Sequence, residues 1–181
     1  MKNQSPAYNL DQGSILSEEK EQLYRAPARL LEYAPDRYIA LPTHTTLEIV
    51  EDPEIFPVPG AALYGLGLLY WQEHWLAVVD LARMFLQNGL PDVSIATEKP
   101  RYVLVLAYQR MPGYALEYGA ITLPVLPETI FIGDDAACDL PTDSPIWATV
   151  SLSCFTYAGH TIPVLNTAQI FGRSHQSKLS M

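Results

Sequence analysis

The clearest pattern of apolar and polar positions lies in the stretch Gly65–Phe85. An apolar strand opens this stretch, and Gln72–His74 then supply a polar turn. Trp75–Val79 is a continuous apolar run of strand length, which predicts a strand buried on both faces. Asp80 follows at a position typical of a helix N-cap, because its carboxylate can accept from the unpaired amides of a first turn. The pattern therefore predicts a strand, a turn, a second strand and a short helix over Leu81–Phe85.

The same arrangement recurs near the end of the sequence, in Thr161–Phe171. The alignment places Asn166 under Asp80, and both residue types are strong N-caps. Gln169 lies three positions after Asn166, as in a capping box. Three weaker echoes keep the same order: Arg29–Leu31 with Arg101–Val103, Ala40–Leu41 with Ala115–Leu116, and Pro53–Phe56 with Pro127–Phe131. Together they predict a chain built from two similar halves.

Short apolar segments separated by turn-forming clusters fill both halves, and few segments have a helix-length period. This pattern predicts an all-β protein with short helices, arranged as two small barrels packed side by side. We place the first barrel at about residues 29–90 and the second at about 100–172, with a polar extension over 1–28 and a tail over 173–181. The three prolines of residues 51–60 exclude a central strand and predict an extended loop there. The predicted strands include Leu30–Tyr33, Tyr38–Leu41, Thr45–Val50, Tyr102–Tyr108, Thr129–Ile132, Ile146–Tyr157 and Thr161–Leu165.

The composition favours a folded protein that binds neither nucleic acid nor a membrane surface. The apolar fraction is 49% and the charged fraction 17%, which is enough for a sizeable core. The net charge is -9 with only 11 Lys and Arg, so the clustered cations that hold phosphates or anionic lipids are not expected. The first residues lack the apolar core of a signal peptide, and no apolar run reaches transmembrane length. We therefore expect a cytoplasmic protein whose two cysteines, Cys138 and Cys154, are reduced thiols.

The sequence contains none of the common motifs for nucleotide, dinucleotide or zinc-protease chemistry, so no cofactor and no enzymatic activity are expected. The four histidines lie without ligand spacing, which argues against a metal site: His44, His74, His160 and His175. One catalytic set can be imagined, a thiol hydrolase built from Cys154, His160 and Asp80. No local motif supports it.

The run Gly67–Leu81 resembles a motif of the CheW-like domain, the adaptor that couples chemoreceptors to a histidine kinase in bacterial chemotaxis and in related systems that control type IV pili. The family motif reads Gly-Val-Ile-Asn-Leu-Arg-Gly, two variable residues, and Ile-Pro-Val-Ile-Asp-Leu. Tyr38–Pro42 followed by Leu47–Val50 fits the opening strands of the family, and the resemblance covers about Arg29–Gly172. The resemblance implies two pseudo-symmetric, five-stranded, SH3-like barrels, in agreement with the repeat.

The resemblance also implies two partners. These are the regulatory domain of a CheA-type histidine kinase, bound by barrel-to-barrel packing, and the tip of a methyl-accepting chemotaxis receptor, bound in the groove between the barrels. Gln72 stands where the family has an Arg near that groove, and Glu73 stands where it has a Gly. The divergence resembles a pilus-system adaptor such as PilI or ChpC. The predicted partner surface consists of Leu66, Leu68, Tyr70, Gln72, Glu73 and His74.

Two questions stay open from the residues alone. Trp71 and Trp75 flank the predicted turn, with Tyr64 and Tyr70 nearby, and these rings suit either barrel packing or a protein interface. The function has an alternative as well: a repurposed small barrel that binds a different protein or a small ligand without a kinase partner.

Overall fold

The computed structural model describes residues 25–87 and 99–172, which form eleven β-strands and three short α-helices. The strands are β1 (Ala26–Ala34), β2 (Arg37–Pro42), β3 (Thr46–Glu51), β4 (Ile55–Phe56), β5 (Gly65–Trp71), β6 (His74–Val79), β7 (Tyr102–Tyr108), β8 (Glu117–Leu123), β9 (Glu128–Ile132), β10 (Ser151–Tyr157) and β11 (His160–Leu165). The helices are α1 (Leu81–Gln87), α2 (Ile146–Val150) and α3 (Thr167–Gly172). The prediction of an all-β protein with short helices is confirmed.

The strands form two hydrogen-bonded sheets, and each sheet contains strands from both halves of the chain. The first sheet has the order β10-β11-β2-β1-β9, and the second has the order β3-β7-β8-β6-β5-β4. The two sheets therefore do not coincide with the two barrels predicted over residues 29–90 and 100–172. The reason is that β2 pairs in parallel with β11, and β6 pairs in parallel with β8. Parallel neighbours need long crossover connections, and these draw strands from distant parts of the chain into one sheet.

The sequence repeat relates the two sheets. Exchanging β1, β2, β9, β10 and β11 for β7, β8, β3, β5 and β6 converts the order of the first sheet into that of the second, apart from the extra strand β4. The parallel strand pairs occupy equivalent positions in the two sheets, since Val164 pairs with Ala40 in one sheet and Val78 pairs with Ala120 in the other. The alignment of Val78 with Val164 therefore has a structural basis. Two of the weaker sequence similarities aligned the wrong residues. In the structure, Ala40 corresponds to Ala120 rather than to Ala115, and β9 corresponds to β3 rather than to β4.

Each sheet curls so that its two sides approach each other. In the second sheet, Trp71 Nε1 of β5 donates to Glu48 Oε2 of β3 at 2.7 Å. In the first sheet, the segment after β9 reaches β10, where Ala137 and Phe155 form an antiparallel bridge. Both sheets therefore close into barrels, one with five strands and one with six.

Three clusters of buried apolar side chains stabilise the described part of the chain. One fills each barrel, and the largest lies between the barrels and joins both sheets to the three helices. Strand β7 serves two of them: Val103 and Val105 face the interior of the second barrel, whereas Leu104 and Leu106 face the central cluster. This double burial explains why β7 is apolar throughout. The central cluster fixes the two barrels relative to each other.

Two local predictions were wrong. Trp75–Val79 is not buried on both faces, because Trp75 and Ala77 are exposed while the other three residues are buried. Ile146–Tyr157 is not one strand, since helix α2 occupies its first five residues. Pro145 precedes this helix, and the Ile146 N–H lies 3.4 Å from Ser144 Oγ. Proline at a helix start costs nothing, because its missing N–H would have had no helical partner.

Asp80 and Asn166 cap the two equivalent helices. Asp80 Oδ1 accepts from the Arg83 N–H at 3.0 Å, and Asn166 Oδ1 accepts from the Ala168 N–H at 3.1 Å. Asp80 Oδ2 also lies 3.3 Å from Arg83 Nε. No capping box forms at α3, because the Asn166 N–H donates to the Val150 carbonyl at 2.7 Å and not to the side chain of Gln169.

Some predicted segments lie outside the described residues. These are residues 1–24 of the predicted extension and the whole predicted tail, 173–181. Strand β1 begins at Ala26, so the end of the predicted extension belongs to the first sheet. Among the described residues, no helix has the length and apolar character needed to span a membrane.

Candidate protein-interaction surface

The predicted partner surface lies on the β5–β6 hairpin of the second barrel. Tyr70, Gln72, Glu73 and His74 are exposed, and Leu68 is half-buried on the outer face. Leu66 differs from these residues. A register shift between Gly65 and Gly67 turns its side chain toward the barrel cluster, where it packs.

The turn between β5 and β6 holds its side chains in fixed positions. Gln72 and Glu73 have φ angles of 41° and 67°, so both adopt the left-handed conformation of a two-residue hairpin turn that favours Asn and Gly. The Gln72 carbonyl accepts from His74 Nδ1 at 2.7 Å, and the Gln72 side-chain amide lies 3.5 Å from Glu48 Oε2. The His74 ring packs edge-on against the Tyr118 ring, with 5.2 Å between the two ring centroids. This turn therefore presents a pre-formed polar tip.

Three aromatic rings form an exposed cluster beside the turn, which we call the aromatic patch: Phe56, Tyr70 and Trp75. Trp75 lies 5.4 Å from Phe56 and 5.0 Å from Tyr70, measured between ring centroids. The exposed fractions are 42% for Phe56, 55% for Tyr70 and 56% for Trp75. The patch extends along the strands to Leu68, which pairs with both Phe56 and Ala77. Exposed contiguous aromatic surface is typical of a protein-binding site.

The sequence left open whether the two tryptophans pack inside the barrel or form a protein interface, and the structure gives each a different position. Trp71 packs against the interior cluster of the barrel and lies 5.7 Å from the Tyr118 ring, so it has a structural role. Trp75 points outward and belongs to the aromatic patch. Phe56 was missed by the sequence reasoning, because the prolines around it predicted a loop. The alternation of prolines with Ile55–Phe56 was the available signal for a short edge strand.

A depression of about 380 Å³ adjoins the aromatic patch. Two carboxylates, those of Asp52 and Glu54, lie along it. An apolar floor with acidic edges suits an aliphatic or aromatic side chain flanked by cations. Its lining residues are Val50, Asp52, Pro53, Glu54, Phe56, Leu69, Tyr70 and Trp75.

Comparison with known proteins agrees with this fold. Residues 30–116 match the family model of the CheW-like domain. The chain carries a CheW-like domain. The fold is similar to that of the scaffolding protein TtCheW from Thermoanaerobacter tengcongensis, with a TM-score of 0.62 and 13% identity over 78% of this chain and 89% of that chain. No curated protein matches the sequence. The resemblance to the CheW-like family is therefore confirmed, and the structural likeness extends the shared fold beyond the matched residues.

This CheW-like chain exposes further apolar side chains away from the hairpin. Leu47 and Ile49 lie on β3, at the seam where the second barrel closes. Phe131 and Leu152 are exposed on the first barrel. Scattered exposed leucines are common on protein surfaces, so the contacts among its three rings are what distinguish the aromatic patch.

The imagined catalytic set has no support in the geometry of the CheW-like fold. Cys154 lies against Cys138, the His160 ring packs on Tyr38 at 5.0 Å, and Asp80 caps α1. Burial raises the pKa of Cys154 to about 12, which disfavours the thiolate that a nucleophile needs. Within residues 25–87 and 99–172, no three His, Cys, Asp or Glu side chains are grouped to hold a metal ion.

Proposed function

We propose that this protein is a non-enzymatic cytoplasmic adaptor of a chemotaxis-like signalling system, which couples receptors to a CheA-type histidine kinase. The observation that carries the proposal is the aromatic patch, exposed on the outer face of a CheW-like barrel. A patch of this kind supports binding through pre-formed contacts, since tryptophan and tyrosine often dominate the energy of protein interfaces. Divergence at the Gln72–Glu73 turn supports a pilus-type system that controls twitching motility.

The mechanism that fits this fold is scaffolding. The central cluster joins both barrels, so a partner held by one barrel has a defined orientation relative to a partner held by the other or by the groove between them. The kinase regulatory domain would pack against a barrel face, and the receptor tip would contact the groove near Gln72. Rigid positioning of two partners changes kinase output without any chemistry in the adaptor.

Affinity capture from the source cells tests the kinase partnership. We expect the tagged wild-type protein to retain a multidomain histidine kinase, and the double variant Tyr70→Ser with Trp75→Ser to retain at least about tenfold less. The reason is that loss of a central interface aromatic commonly costs about 2 kcal/mol or more. Leu126→Ser is the matched control, because Leu126 is exposed in the loop between β8 and β9. Equal retention of the kinase by both variants would remove the aromatic patch from the interface.

The turn residues provide a separate test of receptor binding. We expect Gln72→Arg with Glu73→Gly to bind a conventional receptor tip roughly tenfold more tightly in a titration, because the change restores a cation and removes a carboxylate. Glu73→Gly alone is the matched control, since it relieves the left-handed turn without adding the cation. If the double variant shows no gain over the wild type, the receptor contact lies elsewhere.

The divergent turn and the neighbouring depression favour one alternative, a barrel repurposed to bind another protein or a small ligand. The same capture experiment separates the two functions. Recovery of receptors or pilus-associated proteins without a kinase supports a divergent coupling role. Recovery of none of these proteins, from cells that express a kinase of this type, supports the repurposed barrel.

A further inference from the structure

The two cysteines of the chain face each other across the seam of the first barrel. Ala137 and Phe155 form an antiparallel bridge, so the next residues outward, Cys138 and Cys154, are directly opposed. The Cys138 N–H donates to the Cys154 carbonyl at 3.1 Å, which fixes this pairing. The thiols lie on the same side of the seam, with 3.2 Å between the two sulfur atoms.

This arrangement meets the geometric needs of a disulfide. Directly opposed residues of antiparallel strands have Cα atoms about 4.5–5.5 Å apart, within the range of about 4.4–6.8 Å that disulfides span. The sulfur atoms have to approach by about 1 Å to reach the bond length of about 2.05 Å. Cys138 is half-buried, whereas Cys154 is only 5% exposed. A dissolved oxidant therefore reaches Cys138 first.

We propose that Cys138 and Cys154 form an oxidation site that a peroxide converts into an intramolecular disulfide. Cys138 attacks the peroxide as thiolate, its sulfur takes one oxygen, and hydroxide leaves, giving a sulfenic acid. Burial raises the pKa of Cys154 and keeps it protonated at rest, so the second step relies on its position 3.2 Å from the Cys138 sulfur. The Cys154 sulfur attacks the Cys138 sulfur, a new S–S bond forms, and the sulfenic oxygen leaves as water with the Cys154 proton. In total, two thiols and one hydrogen peroxide give one disulfide and two waters.

The bond would lock the seam of the first barrel. The two cysteines are separated by 16 positions, and the loop between them contains α2, whose Ile146, Trp147 and Val150 belong to the central cluster. Closing a loop of this length restricts the unfolded chain, so the midpoint of thermal unfolding should rise by roughly 5–10 °C. The seam would then couple peroxide exposure to the rigidity of the barrel.

Intact-mass spectrometry tests the site on the full chain. The protein is exposed to hydrogen peroxide, treated with catalase, denatured and labelled with N-ethylmaleimide. We expect a loss of about 2 Da and no maleimide adduct, and after dithiothreitol two adducts. Cys154→Ser is the matched variant: its Cys138 sulfenic acid should persist long enough to be trapped by dimedone, because the resolving thiol is gone.

Two maleimide adducts on the peroxide-treated wild type would overturn the proposal, as would a disulfide-linked dimer on a non-reducing gel. A mass gain from sulfinic acid would also overturn it, because the neighbouring thiol would then have failed to resolve the first oxidation step. The thermal midpoint of the oxidised wild type should fall back to that of the reduced protein on addition of dithiothreitol, and Cys138→Ser should show no peroxide-dependent shift.

Discussion

Replacing Phe85 by alanine should lower the free energy of unfolding by about 3–5 kcal/mol, a large part of the stability of an ordinary domain. Phe85 is fully buried in the central cluster, where its ring lies 4.8 Å from Tyr33 and 4.9 Å from Trp147. Tyr33 belongs to β1 and Trp147 to α2, so the cavity would open where the first sheet, α1 and α2 meet. Urea unfolding followed by circular dichroism measures the loss.

The design of this experiment separates packing from helix propensity. Alanine is a better helix former than phenylalanine, so α1 itself gains from Phe85→Ala and any loss comes from the core. Leu86→Ala is the matched control on the same helix, because Leu86 is 38% exposed. We expect the control to lose less than about 1 kcal/mol. A loss below about 1 kcal/mol for Phe85→Ala would contradict the role of the central cluster in joining the two barrels.

The sequence predicted the elements whose signals are local. Asp80 and Asn166 were predicted as helix caps from residue type and position alone, and their side chains accept from the amides of the first turn. The Val78 and Val164 alignment was also accessible, because both strands meet the same kind of parallel neighbour and therefore keep similar apolar residues. The polar interruption Gln72–His74 predicted the turn, although His74 is already the first residue of β6.

What escaped prediction depends on contacts between distant residues. The exchange of hairpins between the two sheets follows from the parallel pairs β2 with β11 and β6 with β8, and no local pattern encodes which distant strand a buried strand will meet. Trp75 and Ala77 are apolar yet exposed, so the continuous apolar run wrongly predicted burial on both faces of the strand. Phe56 was not predicted because Pro53 and Pro57 flank the short strand, and prolines are compatible with an edge strand but indicate a loop.

The aromatic patch also depends on a glycine, Gly67. Gly67 has a φ of 145°, and it lies at the register shift between β5 and β6. A Cβ atom placed there would collide with the carbonyl of Phe56. The absence of a side chain at this position therefore allows β4 to pair with β5, and this pairing brings Phe56 to Trp75.

Gly67→Ala should consequently destabilise the protein by about 2–4 kcal/mol, because it combines backbone strain with a collision against the main chain of β4. The same change should displace Phe56 and weaken the proposed kinase capture by the folded fraction of the protein. Gly113→Ala is the matched control: Gly113 has a φ of 85°, but an added Cβ there has no neighbour within 4 Å. Its cost should be limited to the conformational strain, about 1 kcal/mol. Urea unfolding of the two variants measures the difference, and equal losses would show that β4 yields to the added methyl group and that Gly67 does not hold the aromatic patch together.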